Sequence, residues 1–486
     1  MLHLRKPDYR ERLLVSGFLF FLLAAVFSLG YFHPDEHFQI LEFANFKLGA
    51  APLSDLPWEF RERIRPSLQP TLAYLFIKAM HLAGLQNPFQ QVLVLRMMSA
   101  FLSAMMFIKL ADRSAGALPS KDGREVLLSL TFLLWFMPYL QVRYSSECWS
   151  GICFLAAVYF LMAFADRKMR RPSALFIAGG CLGLSFFFRF QMGFAILGLF
   201  AWLISRGVKP RELSAFVAGG MLAGAACVAL ACWFYGGWVF TPYQYFEANL
   251  LEHRAAVWGI SPWWYYFSEF LVVSIPPISA LLAGLFVCGV FLQRRHLFFW
   301  ALAPYLIAHM LVGHKELRFL FPMVFPFLFF VAAGWIAVRP YFSKHLILKI
   351  ALNVSLASNF LLLLYRSLAP AQEAVSYYHF LYRYAQNQPV TLFTEASPAF
   401  RLVGLDLNFY TPKNIETVVL KDYPAWSDSV RYKPRPGDLL LVRSQIPPAL
   451  GHYRPERVFS ILPGWVLQYN INHWQDRSRI WSIYRF

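Results

Sequence analysis

The stretch that decides the fold is Leu13–Phe32, LLVSGFLFFLLAAVFSLGYF, with His33-Pro34-Asp35-Glu36-His37-Phe38-Gln39 directly after it. An α-helix needs roughly 20 apolar residues to cross the hydrocarbon core of a bilayer, and this run supplies them. No small-residue cleavage pattern follows, so we predict a retained transmembrane helix and not a signal peptide. Two adjacent carboxylates flanked by two imidazoles at the end of such a helix predict a catalytic loop, because ionisable groups at membrane depth are usually functional.

The composition extends this prediction to the whole chain. Of the 486 residues, 58% are hydrophobic and 15% are charged, which is typical of a polytopic membrane protein and not of a soluble globular one. The formal net charge of +18 comes without a basic run interleaved with aromatic residues, so we predict no nucleic-acid partner. The six cysteines lie within or beside apolar runs, so they indicate small buried side chains and neither a disulfide framework nor a zinc site.

Further apolar runs predict an all-α membrane domain. We predict about eleven membrane-spanning helices, each of roughly 20 residues. They lie at 13–32, 92–111, 125–142, 149–165, 173–188, 191–205, 212–235, 265–292, 297–313, 318–338 and 346–365. The run Pro70–Gly84 is a further candidate, but it is short and carries Lys78.

The charges of the connecting loops predict the orientation in the membrane. If Pro70–Gly84 does not cross fully, the most basic loops all fall on the side of the N-terminus, which identifies that side as cytoplasmic. These loops carry Arg113, Lys121 and Arg124; Arg167, Lys168, Arg170 and Arg171; Arg206, Lys209 and Arg211; Arg294 and Arg295; and Arg339 and Lys344. The residues with chemical potential then share the opposite face, which is the periplasmic side of a bacterial membrane or the lumen of the endoplasmic reticulum.

Two outer segments are suited to the membrane surface. The first outer loop, 33–91, is long, and Leu53–Arg65 within it mixes apolar with charged residues as an interfacial helix does. The segment 235–266 is crowded with Trp and Tyr, as expected at the level of the lipid head groups. Simple anchoring to the bilayer is an equally good interpretation of this aromatic segment.

The composition becomes polar after Arg366. Short β-rich runs separated by Pro and Gly predict strands at Val390–Phe393, Val418–Leu420 and Leu439–Val442. We therefore predict a membrane-embedded catalytic domain at 1–366. A small soluble α/β domain at 367–486 is expected on the non-cytoplasmic side.

Asp35 and Glu36 are the candidate catalytic acids. A carboxylate that follows a membrane span beside Phe32 and Phe38 is partly desolvated, which raises its pKa and makes it a better base towards a hydroxyl group. The alternative is a solvated loop whose Asp caps the next helix.

His314-Lys315-Glu316-Leu317-Arg318 is the candidate phosphate site. Three potential cations at the start of a helix can hold a phosphate, together with the unpaired backbone amides there. The alternative is a loop that anchors the membrane boundary through Lys and Arg. That alternative is weakened because this loop falls on the side where cations are otherwise sparse.

Other polar residues on the same predicted face are weaker candidates. Arg143, with Glu147 shortly after it, and Arg189 each follow an apolar run, and internal Arg–Glu pairing is the better explanation for at least one of them. Arg65 is placed to reach an anionic group. Glu247 and Asn249 are suited to bind a sugar, although single polar residues in a loop are more often structural.

A carboxylate and a group of cations at the depth of a lipid phosphate suit transfer of a sugar from a phosphorylated lipid. The base accepts the proton of the acceptor hydroxyl while the cations stabilise the departing phosphate, so no general acid is needed. The chain has no Gly-rich nucleotide loop and no carboxylate-x-carboxylate motif, which argues against a nucleotide-sugar donor. Two alternatives stay open: another sugar on the same kind of lipid, and a transporter or flippase of phosphorylated lipids.

At these residues the chain resembles the glycosyltransferase family 22 mannosyltransferases, which build the mannose core of GPI anchors and the upper arms of N-glycan precursors. The order and approximate spacing of the motifs agree over residues 1 to about 330. The matching motifs are His33-Pro34-Asp35-Glu36 with Gln39, Trp58-Glu59, Ile64-Arg65 with Ser67 and Pro70, Pro242–Asn249, Ser261–Tyr266 and His314-Lys315-Glu316-x-Arg318-Phe319-x-x-Pro322.

The resemblance implies a GT-C fold and an inverting, metal-independent transfer of mannose. The implied donor is polyprenyl-phosphate mannose, which is dolichyl phosphate mannose in eukaryotes, and the implied acceptor is a glycan or glycolipid. Asp35 carries over as the base with Glu36 beside it, and the motif from His314 to Arg318 carries over to the donor phosphate. With the residues singled out above, the candidate site has three parts: the acids Asp35 and Glu36; the phosphate ligands His314, Lys315, Arg318 and Arg65; and the acceptor or sugar contacts His33, Gln39, Arg143, Glu147, Arg189, Glu247, Asn249 and Glu316.

Two motifs depart from the family pattern. The Arg143 region reads Tyr144-Ser145-Ser146-Glu147 in place of the usual Thr and Asn, and Phe188-Arg189-Phe190-Gln191 stands where many members have Arg-Pro. These departures favour a bacterial member and leave the acceptor open.

Overall fold

Helices make up most of the chain in the computed structural model, which describes residues 8–166, 171–386, 388–394, 401–402, 405–420, 433–446 and 453–486. The α-helices are α1 Tyr9–Phe27, α2 Pro34–Glu36, α3 Glu42–Lys47, α4 Trp58–Arg61, α5 Leu68–Leu82, α6 Pro88–Ser114, α7 Gly123–Leu133, α8 Met137–Gln141, α9 Ser146–Ala165, α10 Pro172–Phe188, α11 Gly193–Ser205, α12 Pro210–Tyr235, α13 Thr241–Phe246, α14 Tyr265–Val273, α15 Ile278–Leu292, α16 Leu297–Leu311, α17 Val324–Lys344, α18 Leu346–Leu368, α19 Glu373–Tyr384, α20 Gly464–Leu467 and α21 Trp474–Arg477. The strands are β1 Val390–Thr394, β2 Arg401–Leu402, β3 Leu405–Asp406, β4 Ile415–Val419, β5 Leu439–Val442, β6 Glu456–Ser460 and β7 Ser482–Arg485.

Two further helical types occur in the described residues. Five-residue π-helical turns are found at His37–Leu41 and Glu247–Leu251. Short 3₁₀ segments are found at Leu53–Asp55, Ala115–Ala117, Phe190–Met192, Arg254–Trp258, Leu317–Met323, Asn408–Tyr410 and Ile471–His473.

The long helices fall where the apolar runs predict them. In the described part of the chain, five helical segments are long and apolar enough to cross a membrane: Pro88–Ala117, Ser146–Ala165, Pro210–Tyr235, Leu317–Lys344 and Leu346–Tyr384. Four shorter apolar helices accompany them: Pro172–Phe188, Phe190–Ser205, Ile278–Leu292 and Leu297–Leu311. This arrangement confirms a multi-pass membrane protein, and the count of about eleven spans stays a prediction. Of the predicted basic loops, Arg167, Lys168 and Arg170 lie outside the described residues.

Two of the predicted spans are interrupted. The run 125–142 breaks between α7 and α8, where Trp135 N–H donates to Asn359 Oδ1 at 2.9 Å and Asn359 Nδ2 donates to the Leu133 carbonyl at 2.8 Å. These side-chain bonds replace the helical ones. The run 265–292 breaks between α14 and α15, where Pro276 and Pro277 cannot donate to the helical ladder.

The predicted interfacial helix over Leu53–Arg65 is shorter than expected. Only the 3₁₀ turn Leu53–Asp55 and the four-residue helix α4 form there. Proline at positions 57 and 66 brackets the segment, and Arg63 has a positive φ of 54°, so a continuous helix cannot run through it.

The described chain divides into two compact units. The first unit contains the described residues of 8–28, 58–75 and 93–369, and the second contains those of 29–57, 76–92 and 370–486. The division differs from the predicted boundary at 366 because two early segments join the C-terminal part. For example, the N–H groups of Ala371 and Gln372 both donate to the Leu29 carbonyl, at 2.8 and 3.0 Å.

Small residues bring the helices of the first unit into close contact. A Cβ placed on Gly179 of α10 would lie 1.9 Å from the carbonyl oxygen of Phe216, and one on Gly219 of α12 would lie 1.9 Å from that of Phe176. Glycine is therefore required on both helices, as at the small-residue interfaces of membrane helices. α10, which directly precedes Arg189, is thus held backbone to backbone against α12.

The second unit contains the predicted small α/β structure. Its main sheet has the order β4-β1-β5-β7-β6, with β1 parallel to β4 and β5, and β7 antiparallel to β5 and β6. The three predicted strands correspond to β1, β4 and β5. The hydrophobic core of this sheet contains Phe393, Leu420, Leu440, Val442 and Tyr484.

Candidate active site

Glu147 is fixed at the start of α9 in the first unit. Ser145 caps this helix, with its side chain accepting a hydrogen bond from Cys148 N–H at 3.2 Å. Glu147 therefore lies in the first helical turn, where the positive end of the helix dipole stabilises a carboxylate. Its side chain is only 5% exposed, so it requires paired charges.

Arg189 is brought to Glu147 by the packing of α10 against α9. The Ser185 hydroxyl donates to the Ser150 carbonyl at 2.8 Å, which joins the last turn of α10 to the first turns of α9. Arg189 follows directly, and its Nη1 lies 2.7 Å from Glu147 Oε1 and 3.3 Å from the Ser146 hydroxyl.

Arg318 reaches the same carboxylate from the 3₁₀ segment Leu317–Met323. A Cβ on Gly151 would lie 3.3 Å from the backbone of Pro322, so this segment packs closely on α9. Tyr305 of α16 donates its hydroxyl to the Phe319 carbonyl at 2.5 Å and fixes the segment from another side. As a result, Arg318 Nη1 lies 3.2 Å from Glu147 Oε1.

Glu316 and His314 complete this group. Arg318 donates to both carboxylate oxygens of Glu316, at 2.5 and 3.1 Å, in the bidentate geometry that favours strong binding. His314 places Nε2 3.0 Å from Glu316 and Nδ1 3.2 Å from the Gly259 carbonyl. Because both ring nitrogens face acceptors, the protonated imidazolium fits best, and the hydrogen bond with Glu316 raises the pKa of His314.

We call Glu147, Arg189, Arg318, Glu316 and His314 the charge cluster. Of the predicted site residues, the structure brings these five together by direct contacts. With His314 protonated, three cations face two carboxylates, so the group keeps an excess positive charge. Such a group can accept an anion by exchanging a carboxylate partner for a phosphate oxygen.

Lys315 and Arg143 have different surroundings. Lys315 donates to the carbonyls of Ser261 at 2.8 Å, of Gly313 at 3.4 Å and of Val312, so it joins its own loop to the segment around Ser261. Burial lowers the pKa of Lys315. Arg143 donates to the Ser28 carbonyl at 2.7 Å and to its hydroxyl, and Arg96 donates to the same carbonyl, so two arginines hold the C-terminal end of α1.

The remaining candidates of the first unit lie in local pairs. Arg65 Nη2 lies 3.3 Å from Glu59 Oε1. Glu247 accepts a hydrogen bond from the Tyr243 hydroxyl at 3.2 Å, and Asn249 donates to the Tyr245 carbonyl at 2.9 Å. Glu247 and Asn249 belong to one of the π-helical turns, a feature that often marks functional segments.

The predicted acids belong to the second unit. His33 caps α2, with its Nδ1 accepting from Asp35 N–H at 3.2 Å and lying 3.5 Å from Asp35 Oδ1. The Asp35 side chain is 24% exposed. Glu36 accepts from Phe32 N–H at 3.3 Å. Gln39 follows within the π-helical turn His37–Leu41.

His37 and Glu42 are buried polar residues beside these acids that the sequence patterns did not single out as a pair. His37 Nε2 lies 2.8 Å from Glu42 Oε1, and both side chains are almost completely buried. Helical periodicity offers no signal for this pair, because residues five apart do not face each other on an α-helix.

The structure also bears on metal binding. Within the ranges described above, no group of three or more His, Cys, Asp or Glu side chains is arranged to hold a metal ion. The metal-independent reaction implied by the resemblance stays a prediction.

Comparison with known sequences gives a family match over most of the chain. The profile of the "Alg9-like mannosyltransferase family" matches residues 13–395. Mannosyltransferase APTG1 of Arabidopsis thaliana is 25% identical over 65% of this chain and 56% of its own length. GPI mannosyltransferase 3 of Yarrowia lipolytica is 30% identical over 68% of this chain and 63% of its own length. The human GPI alpha-1,2-mannosyltransferase 3 is 24% identical over 74% of this chain and 62% of its own length. The chain thus spans less than two thirds of each of these relatives.

Comparison with solved structures confirms the fold. ArnT from Cupriavidus metallidurans, in a crystal structure bound to undecaprenyl phosphate, superposes with a TM-score of 0.55 over 97% of both chains, at 11% identity. At this identity the similarity establishes the predicted GT-C fold alone.

Proposed function

The chain belongs to the Alg9-like mannosyltransferase family, and from this premise we propose that it transfers mannose from polyprenyl-phosphate mannose to a hydroxyl of a glycan or glycolipid. The donor is dolichyl phosphate mannose if the protein is eukaryotic, and a GPI-anchor precursor is one acceptor of the expected class. The reaction inverts the anomeric centre and forms an alpha-mannosidic linkage. Family membership favours this transferase over a lipid flippase.

The observation that carries the proposal is the buried charge cluster. The side chains of Arg189 and Arg318 are each 8% exposed, and both donate to one oxygen of Glu147. Buried guanidinium groups are costly unless they are paired, and at the ends of apolar helices they commonly mark sites for anionic substrates. Planar guanidinium groups also match the oxygens of a phosphate. We assign Arg189 and Arg318 to the donor phosphate.

The surroundings of the other predicted phosphate ligands refine this assignment. The ammonium group of Lys315 faces three carbonyl oxygens, which suits a residue that shapes the loops around the phosphate. His314, as an imidazolium, adds positive charge next to Glu316. Arg65, which lies next to Glu59, is assigned to the rim of the site.

The reaction itself needs one base. Asp35 accepts the proton of the acceptor hydroxyl as its oxygen attacks the anomeric carbon of the mannose. The bond from that carbon to the phosphate oxygen breaks, and the polyprenyl phosphate leaves as an anion. Phosphate is a good leaving group when cations neutralise it, so neither a general acid nor a metal ion is required. Glu36 acts beside Asp35 as a positioning residue.

We assign the reaction to the non-cytoplasmic face. Basic residues lie at or just after the C-terminal ends of α6, α11, α15 and α17, namely Arg113, Arg206, Arg294 and Lys344, whereas Glu147, Arg189 and Arg318 lie at opposite helix ends. The rule that positive loops stay in the cytoplasm supports this orientation.

The test is transfer of labelled mannose from polyprenyl-phosphate mannose to a glycolipid acceptor by the purified protein. Asp35→Asn keeps the size of the side chain and removes the base, so we expect the rate to fall by roughly 10²–10⁴-fold. Glu125→Gln, a partly buried acid in the first turn of α7, is the matched control and is expected to keep the wild-type rate. Full activity of Asp35→Asn would show that Asp35 is not the catalytic base. Movement of labelled lipid across vesicles without any transfer would instead identify a flippase.

A further inference from the structure

The acids Asp35 and Glu36 are followed by a change of helix type. α2 contains Pro34–Glu36, the π-helical turn His37–Leu41 comes next, and α3 begins at Glu42. Within the turn, the N–H of Glu42 donates to the carbonyl of His37, five residues earlier. The acids are therefore separated from α3 by one wide turn.

This wide turn brings His37 and Glu42 onto one face. On an α-helix of 3.6 residues per turn, side chains five residues apart point about 140° away from each other. In the π-helical turn they meet, and His37 Nε2 lies 2.8 Å from Glu42 Oε1. The two residues are thus joined twice, once through the backbone and once through the side chains.

The C-terminal part of the chain holds the same pair, within the second unit. Phe409 N–H donates to Glu42 Oε1 at 2.9 Å. The Tyr410 ring stacks on the His37 ring at 5.3 Å with 18° between the planes. Asn45 donates to the other oxygen of Glu42 at 3.3 Å. A buried carboxylate with three donors has one well-defined orientation.

We propose that His37 and Glu42 are positioning residues that set the direction in which Asp35 and Glu36 point. The proposal rests on the proposed function. A π-helical turn contains one more residue than an α-helical turn, so it rotates the preceding residues by about 100° relative to a continuous α-helix. Without the His37–Glu42 bond the turn relaxes towards α-helix and the acids rotate away.

The polar C-terminal part takes on a role through this pair. Phe409 contacts Glu42 through its N–H group, and Tyr410 contacts His37 through its ring. Their contribution to the reaction is therefore to maintain the π-helical turn, in addition to any binding role of the domain.

Two substitutions of one residue separate the hydrogen bond from the ring packing. His37→Phe keeps an aromatic ring against Tyr410 but has no donor for Glu42. His37→Gln places an amide donor near the position of Nε2 and removes the ring. Asn408→Ala is the matched control, because Asn408 joins the same C-terminal segment to Asp55, at 3.0 Å, without contacting the pair.

Two readouts are measured on the full-length protein in detergent: amide hydrogen exchange of residues 34–42, and kcat and KM for labelled mannose transfer. In His37→Phe we expect faster exchange in 34–42 and kcat lowered about 100-fold, as for a catalytic group displaced by about 1 Å, with donor KM nearly unchanged. In His37→Gln we expect kcat to be on the order of tenfold higher than in His37→Phe, because the glutamine keeps a hydrogen bond to the charged Glu42. Asn408→Ala retains wild-type kcat and exchange in 34–42.

Each outcome separates this proposal from the proposed function. Unchanged exchange in His37→Phe overturns the positioning role, whether or not the protein transfers mannose. Faster exchange with unchanged kcat overturns the link to catalysis. A wild-type protein without transfer activity overturns the proposed function, while the exchange data still decide whether the pair maintains the turn. If His37→Phe does not fold, Glu42→Gln weakens the same bond and is read in the same way.

Discussion

The charge cluster of the first unit differs from the acidic segment of the second unit, which we define as His33–Glu36. The two regions differ in the burial of their charged side chains and in the distances between opposite charges. In the charge cluster, the side chains of Arg189, Arg318 and Glu147 are 5–8% exposed, and each lies within 3.2 Å of an opposite charge. In the acidic segment, the side chains of Asp35 and His33 are 24% and 32% exposed and lie 3.5 Å apart. The charged side chains of the first region are buried, and those of the second are partly exposed to solvent.

This difference suits the two regions to different parts of the proposed reaction. In the proposed reaction, the donor phosphate binds to the charge cluster in exchange for a carboxylate partner of the arginines. An acceptor hydroxyl that approaches Asp35 meets a carboxylate that is partly exposed to solvent. The charge cluster should therefore contribute to both stability and activity, whereas the acids should contribute to activity at little cost in stability.

The largest effect on the free energy of unfolding is expected from a substitution in the charge cluster. Glu147→Ala leaves Arg189 and Arg318 buried without their shared carboxylate, so we expect the free energy of unfolding to fall by about 3–5 kcal/mol. Glu36→Gln removes a carboxylate from the acidic segment, and we expect it to change the free energy of unfolding by no more than about 0.5 kcal/mol. Unfolding of both variants in one detergent measures the contrast. Equal losses would show that the two regions do not differ in this way.

A double-mutant cycle sharpens the comparison at the level of single pairs. We expect Glu147→Gln and Arg189→Gln to show a coupling energy of about 1–3 kcal/mol, because their atoms are in buried contact. For the partly exposed pair of His33 and Asp35 we expect a coupling energy of about 0.2–1 kcal/mol. The four single variants and two double variants give both numbers from the same unfolding measurement. A coupling near zero for Glu147 and Arg189 would contradict the internal pairing.

A smaller effect is expected from the protonation of His314. Because Glu316 raises the pKa of His314 above its ordinary value of 6.5, the folded state binds the proton more tightly than the unfolded state. The resulting stabilisation is fully present below about pH 6.5 and is lost as the pH rises through the raised pKa. Unfolding temperatures from pH 6 to 9 should fall more steeply for the wild type than for His314→Gln. Parallel curves would show that the imidazolium contributes nothing.

The smallest effect is expected on removal of divalent metal ions. Asp35 and the charge cluster suffice for the proposed reaction, so treatment with EDTA should leave mannose transfer at the wild-type rate. The rate after dialysis against chelator, with and without added Mg²⁺ or Mn²⁺, provides the measurement. A loss restored by one metal ion would require a ligand set outside the residues named above.

The long helices are largely predictable from apolar length and loop charge. The runs 149–165 and 212–235 are observed as Ser146–Ala165 and Pro210–Tyr235. The break between α7 and α8 is not predictable in this way, because Asn359, which satisfies it, lies 224 residues from Trp135 in the chain. Local patterns do not contain such contacts.

The candidate site is predictable to the extent that it follows motifs. Glu316 and Arg318 lie in one motif and do pair. Arg189 and Arg318 both reach Glu147 because α9 packs against α10 and against Leu317–Met323. Sequence motifs contain no information about this packing. Glu42 escapes pattern analysis because its pairing with His37 requires a turn of non-standard width.

The bonds that Asn359 makes to Leu133 and Trp135 have a consequence for biogenesis. Backbone groups in the hydrocarbon core must have hydrogen-bond partners, and here the partner is a side chain in α18. During synthesis, α7 and α8 emerge well before α18. Until α18 is inserted, the break between α7 and α8 must be satisfied by water, lipid head groups or the insertion machinery. The membrane domain is therefore completed by one of its last helices, and premature termination before Asn359 should leave an incompletely assembled protein for quality control to remove.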